Sequence, residues 1–148
     1  MTNQNIFKLI RTIELFTNRA IIRWNKSFPS PVGISSILVL EQLQQNGPQK
    51  QSTLANQLGY TPGAMTNIAN NLIKENYATR EYSVNDRRVI FLVITAKGQQ
   101  IVQDAQLQGQ ELRKELFEVL TEEEITQFLS IHEKLLVTLT KHRSDING

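Results

Sequence analysis

The chain of 148 residues contains no cysteine. Disulfide bonds and thiol-based redox switches are therefore excluded. The sequence also lacks any run of about 18 or more apolar residues, which a membrane-spanning helix would need, and it has no apolar secretory segment near Met1. We therefore expect a cytoplasmic protein without a membrane partner.

Motifs of catalysis are missing as well. No Ser-His-Asp or Cys-His arrangement, phosphate-binding loop or metal-ligand cluster is found. The two histidines, His132 and His142, are ten positions apart, and Glu133 is the one carboxylate next to either. This spacing does not favour a metal site. We predict no enzyme, no cofactor and no bound metal.

Residues 51–75 predict two short helices joined by a tight turn. The first helix has an apolar face made of Leu54, Ala55 and Leu58. Gly59 is expected to end it, because glycine readily adopts the left-handed conformation found after helices. Thr61 can cap the second helix, and Pro62 suits its first position, where no N–H is needed. The spacing resembles the helix-turn-helix pattern of DNA-binding proteins.

The second helix, Pro62 to Glu75, has two contrasting faces. Its apolar stripe comprises Met65, Ile68, Ala69, Leu72 and Ile73. Its opposite face comprises Gly63, Thr66, Asn67, Asn70, Asn71 and Lys74. That face has short side chains and almost no charge, and side-chain amides suit bidentate pairing with adenine edges in the major groove. The alternative is an asparagine-rich surface helix without a partner.

A β-hairpin is predicted next, with strands at 78–82 and 89–94, because both stretches are rich in β-branched and aromatic residues. Between them lies SVNDRR, which supplies turn residues. Arg87 and Arg88 would then lie at the tip, where arginine side chains can enter a narrow minor groove. Asp86 could orient Arg88 by a bidentate contact. The alternative for this pair is a surface salt bridge of small value.

The run from Asn70 to Gly98 resembles the winged-helix core of MarR-type transcriptional regulators. The family pattern falls on Leu72, Asn76, Arg80, Asp86 with Arg88, and Ile94-Thr95-Ala96-Lys97-Gly98. The resemblance covers nearly the whole chain. Asn76 replaces the usual glycine, a change that its tolerance of left-handed geometry explains. Asn67 and Asn70 stand where many members have Arg and Asp, so no base preference can be carried over.

The resemblance and the helix pattern together predict a DNA-binding surface. Its expected residues are Thr61, Gly63, Thr66, Asn67, Asn70, Asn71, Lys74, Arg80, Asp86, Arg87 and Arg88. The charge distribution agrees: residues 47–98 have six Lys or Arg against three acidic residues, whereas residues 99–148 have five against nine. The basic segment suits phosphate contact, and the acidic one would be held away from DNA.

The two ends of the chain predict a dimerisation region. Long amphipathic helices are expected at 5–26 and 122–142, each too broadly apolar for a lone surface helix. Further helices are expected at 34–45 and from Thr95 to about Leu120. The first of these would pack through Ile34, Ile37, Leu38 and Leu43. Thr121 to Glu124 is typical of a capping box. His132 is expected in a core or an interface.

We therefore predict a single MarR-like domain over 1–148, mainly α with a small β-hairpin wing. Residues 34–98 would form the winged helix-turn-helix, and residues 1–33 and 99–148 the dimerisation helices. The resemblance implies a homodimeric repressor that binds a pseudo-palindromic double-stranded operator and is released by a small-molecule effector. Phe16, Trp24 and Phe28 are aromatic candidates for the effector site, with core packing as the alternative. A winged helix that binds protein, without DNA, is the rival function.

Overall fold

The computed structural model describes residues 3–146, with side chains described as far as Lys141. The elements are α1 (Asn3–Ser27), α2 (Ile34–Asn46), α3 (Gln51–Leu58), α4 (Pro62–Lys74), β1 (Ala78–Tyr82), β2 (Ile90–Ile94), α5 (Ala96–Phe117) and α6 (Glu122–Ile146). The described residues divide into two compact units, one up to Gly109 and one from Gln110 onward. The predicted fold class, mainly α with a β-hairpin wing, is confirmed.

Helix α1 is amphipathic and ends before two prolines, Pro29 and Pro31, neither of which can donate a backbone hydrogen bond. Of its described side chains only Trp24 is buried. Its large exposed apolar side chains are Ile6, Phe7, Leu9, Ile10, Ile13, Leu15, Phe16 and Ile22. The amphipathic helix predicted over 5–26 is therefore present, and most of its apolar residues face away from the core of this unit.

Helix α2 supplies the centre of the core, with Val39, Leu40 and Leu43 fully buried. The sequence predicted packing through Leu38, and this was wrong, because Leu38 is 38% exposed. At about 100° per residue, Leu38 points away from Leu40 and Leu43. Val39 and Leu40, which the sequence pattern did not single out, take its place.

The helix-turn-helix forms as predicted. Gly59 ends α3 with φ of 72°, in the left-handed region. The Thr61 hydroxyl then accepts a hydrogen bond from the Ala64 N–H at 3.1 Å and caps α4, with Pro62 in the first turn. The two helices bury a shared set of apolar side chains, namely Leu54, Ala55, Met65, Ala69 and Leu72. Helix α4 is thereby fixed, with its opposite face exposed.

The wing is a two-stranded antiparallel sheet in which Ala78 is paired with Ile94 and Tyr82 with Ile90. A contact that the sequence did not predict extends it. The Leu92 N–H donates to the Gln49 carbonyl at 2.8 Å, and the Gln49 N–H donates back to Leu92 at 3.2 Å. The segment before α3 is thus bonded to the wing, which fixes the position of the hairpin relative to the helix-turn-helix.

The junction between α4 and the wing is held against the start of α5. Asn76 has φ of 64°, the left-handed geometry expected from the sequence. The Thr95 hydroxyl donates to the Asn76 carbonyl at 2.7 Å and accepts from the Gly98 N–H at 3.0 Å. Thr95 therefore caps α5 and restrains the end of α4 at the same time.

The second unit contains the end of α5 and the whole of α6. Thr121 and Glu124 form the predicted capping box, with reciprocal hydrogen bonds of 3.0 and 3.2 Å. The large exposed apolar side chains of α6 are Ile125, Phe128, Leu129, Ile131, Leu135, Leu136, Val137 and Leu139. None of the helices within 3–146 combines the length and apolar character that a membrane crossing requires.

Candidate nucleic-acid interface

The polar face of α4 lies open to solvent. Gly63, Thr66, Asn67, Asn70, Asn71 and Lys74 are all exposed. Two hydroxyls nearby already have structural partners, because Thr61 caps the helix and Thr66 donates to the Pro62 carbonyl at 2.9 Å. Among the described residues, the Asn67 and Asn71 amides have no hydrogen-bond partner. These two amides are available to an incoming ligand.

Asn70 differs from its two neighbours because its amide is engaged by the wing. Its Oδ1 accepts a hydrogen bond from Nη2 of Arg80, on β1, at 2.8 Å. The same Nη2 is 3.4 Å from Oε1 of Gln51, in the first turn of α3. One guanidinium therefore joins α3, α4 and the wing. Neither sequence spacing nor residue type predicted this cluster, in which Arg80 is 29 residues from Gln51.

The wing tip contains the predicted Asp86–Arg88 contact. Arg88 donates from Nε to Oδ1 at 3.1 Å and from Nη2 to Oδ2 at 3.2 Å, and its backbone N–H donates to Oδ1 at 3.0 Å. The side-chain bond from Arg88, followed by the backbone bond, lowers the pKa of Asp86 below its ordinary value. The Arg88 side chain is still 91% exposed. Its charge is thus oriented by Asp86 without being removed from solvent.

A groove runs beside the start of α3 and along the wing. It is lined by Lys50, Gln51, Ser52, Arg80, Arg88, Val89 and Ile90, which include three cations and no carboxylate. Lys50 was not among the predicted contacts, because its position in the sequence gives no sign that it lies near Arg88. Such a groove suits a phosphate backbone, since affinity for duplex DNA depends strongly on Lys and Arg contacts to phosphates.

The three effector candidates are only partly brought together. The Trp24 and Phe28 rings lie 5.0 Å apart, and Trp24 is 8% exposed while Phe28 is half-buried. Phe16 lies about two turns earlier on α1 and is 47% exposed. Packing at the end of α1 therefore accounts for Trp24 and Phe28 without any ligand.

The His132 side chain lies on the surface of α6. His132 is exposed, with Nδ1 2.9 Å from the Phe128 carbonyl and its ring 4.3 Å from the Phe128 ring. Its expected place in a core is not seen within this chain, and His142 lies outside the described side chains. Across the described residues, no three His, Cys, Asp or Glu side chains are grouped so that they could hold a metal ion.

Comparisons with known proteins agree with this geometry. The model of the MarR family matches residues 34–90, from α2 to the start of β2. Two proteins of Bacillus subtilis (strain 168) are similar in sequence. The uncharacterized HTH-type transcriptional regulator YhbI is 27% identical over 131 residues, covering 84% of this chain and 82% of its own. The HTH-type transcriptional repressor MdtR is 31% identical over 101 residues, covering 68% of this chain and 65% of its own.

The fold is also similar to solved structures. A mutant MarR from E. coli, crystallised in complex with operator DNA, has a TM-score of 0.77 and 25% sequence identity. The match covers 89% of this chain and 96% of that one. The similarity therefore extends beyond the helix-turn-helix and the wing.

Proposed function

Because the chain belongs to the MarR family of winged helix-turn-helix transcriptional regulators, we propose that it binds a specific double-stranded DNA operator and represses transcription. In this proposal α4 enters the major groove and the wing contacts the adjacent minor groove. The proposal includes no catalytic activity. A regulator of this kind acts in the compartment that holds the DNA, and we propose the cytoplasm.

The observation that carries the proposal is the exposed polar face of α4. A helix face that is merely solvated is usually rich in Glu and Lys, whereas this one presents Asn67, Asn70 and Asn71 with Lys74 at its end. Amides pair with base edges, and a lysine at the end of the helix suits a phosphate. The exposed guanidinium of Arg88 lies on the wing that follows the same helix.

We propose that the functional form is a two-fold homodimer. Helix α1 and the described part of α6 each expose eight large apolar side chains, which is more than a soluble monomer usually leaves in contact with water. Covering them with a second copy would remove that surface from water. Two copies of α4 would then contact a pseudo-palindromic operator with half-sites about one helical turn, roughly 34–36 Å, apart.

We propose release by a small-molecule effector as the regulatory step, on the strength of the family resemblance. Trp24 gives this step a convenient probe, because it is the one tryptophan of the chain and its ring packs on Phe28. An effector bound near this pair should change the tryptophan fluorescence and weaken operator binding at the same concentrations. An effector that weakens binding without altering the fluorescence would place its site elsewhere.

The test of DNA binding is a selection of genomic fragments with the purified protein, followed by band-shift titration of the enriched fragments. We expect a shared pseudo-palindromic sequence and an affinity that falls steeply with salt, as phosphate contacts require. The rival function, a winged helix that binds protein, predicts no enriched sequence and partner binding that is insensitive to salt. It also predicts no consequence from loss of Arg88.

A further inference from the structure

We propose that Arg80 is a positioning residue that fixes the direction of the Asn70 amide, so that Asn70 meets the base it faces chiefly through its NH₂ donors. The inference rests on the proposed DNA-binding function and assigns a base preference within it. Asn70 would then favour guanine or thymine, whose major-groove edges present acceptors, over adenine, whose N7 acceptor lies beside the N6 amino donor.

The hydrogen bond fixes which atom of the Asn70 amide faces Arg80. A guanidinium has five N–H donors and no acceptor. The atom of Asn70 that lies 2.8 Å from Arg80 Nη2 must therefore be the oxygen, and the NH₂ group has no partner among the described residues. The bond is charge-assisted and hence stronger than a neutral one. Gln51 braces the same guanidinium through its own amide oxygen.

This direction matters because adenine needs both ends of an amide. In the bidentate pair, the NH₂ group donates to adenine N7 while the oxygen accepts from the adenine N6 amino group. Asn67 can make this pair, since its whole amide is exposed and has no partner among the described residues. The Asn70 oxygen has a second lone pair, but its charge-assisted bond holds it toward the Arg80 guanidinium and so disfavours turning it to adenine N6. Its free NH₂ group suits acceptors such as guanine O6 and N7 or thymine O4.

The first test compares operator selection from random DNA by the wild-type protein, Arg80→Met and Arg87→Met. Arg87→Met is the matched control, because it removes the same charge from an exposed guanidinium of the wing. The wild type should select guanine or thymine at one symmetric pair of positions. Arg80→Met should raise the frequency of adenine there by roughly fivefold or more, since the freed amide can form both bonds. Arg87→Met should lower affinity and keep the wild-type sequence.

The second test needs no DNA. The side-chain NH₂ signals of Asn70 in a ¹⁵N-edited NMR spectrum should shift in Arg80→Met and stay in place in Arg87→Met. Unchanged Asn70 signals in Arg80→Met would overturn the inference. It would also be overturned if Arg80→Met selects the wild-type operator with a lower affinity, while the proposed function would stand. If neither the wild-type protein nor any variant selects a sequence, the proposed function fails and this inference fails with it.

Discussion

At the residue scale, the wing tip depends on a single carboxylate. Asp86 accepts three hydrogen bonds from Arg88, two from the side chain and one from the backbone. These bonds favour the ionised carboxylate, and they orient a guanidinium that remains exposed. An exposed ion pair of this kind contributes little to stability. Under the proposed function, the pair would present Arg88 in one direction to a narrow groove.

Replacement of Arg88 by alanine should weaken operator binding by roughly tenfold to a hundredfold, the range expected for losing a groove-inserted arginine. Folding should be unaffected, because the side chain is exposed. Arg88→Lys keeps the charge and loses the planar fork, so it should recover only part of the affinity. Band-shift titration measures all three proteins, and an Arg88→Ala affinity equal to that of the wild type would reject the role of the wing.

The lowered pKa of Asp86 predicts how the wing responds to acid. The folded pKa lies below the unfolded one, so the contact contributes fully above the unfolded value, near pH 4, and is lost as the pH falls through the folded value. Operator binding between pH 6 and 8 should therefore not change through this group. In an NMR titration, the midpoint of the Asp86 carboxyl should be lower in the wild-type protein than in Arg88→Ala. Equal midpoints would contradict the contact.

The positions of Asn67, Asn71 and Lys74 on an exposed face could be predicted from helical periodicity alone. The contact between Asn70 and Arg80 could not, because it joins a helix to a strand and depends on where the wing lies. Lys50 could not be predicted either. It lines the groove because the neighbouring Gln49 is bonded to Leu92 of the wing. Short sequence patterns predict which residues of a helix face outward. Contacts between elements depend on how those elements pack, and short patterns do not predict that.

At the scale of elements, several side-chain contacts hold the junction after α4 against the start of α5. Tyr77 is buried there, and Lys97 lies 4.9 Å from the centre of its ring and donates to the Glu75 carbonyl at 3.0 Å. Burial, and then the nearby Glu75 carboxylate, raises the pKa of Tyr77 above its ordinary value. The end of α4 is therefore tied to the first turn of α5. The family pattern pointed to Gly98, but only the structure explains why.

Gly98→Ala should destabilise the protein by about 1–3 kcal/mol, the range for forcing extra atoms into a packed site. A methyl group at this position would clash with the Tyr77 carbonyl oxygen and lie 2.8 Å from Ile94 Cγ1. Gly63→Ala is the control, since nothing lies within 4 Å of the added atom and alanine favours helix formation. Urea denaturation measures both variants, and equal stability for the two would show that the junction tolerates movement.

At the scale of the whole molecule, the proposed dimer would bring two copies of α4 to one operator. A single winged helix offers few base contacts, and two copies double them on a symmetric site. The terminal helices were predicted from the sequence because their apolar residues recur at helical spacing. Their exposure within one chain is the structural fact that the sequence alone could not supply.

Deleting the chain from Glu122 onward should give a monomer that no longer binds the operator, although Asn67 and Arg88 remain. A gentler variant, Leu129→Glu with Leu136→Glu, changes two exposed residues of α6 and should have the same effect with the helix retained. Sedimentation equilibrium measures self-association of each protein, and band-shift titration measures its binding to the operator. A wild-type monomer at micromolar concentration, or a truncated monomer that still binds a full operator tightly, would show the dimer proposal to be wrong.

The central claim is that side chains of α4 specify the DNA sequence, and operator selection with Asn67→Ala tests it most directly. Lys74→Ala is the control, because loss of a phosphate contact should weaken binding to all sequences and reduce the salt slope by about 1. Asn67→Ala should instead lose the base preference at one symmetric pair of positions, with a smaller change in total affinity. If Asn67→Ala selects the same operator as the wild-type protein, α4 does not specify the sequence as claimed.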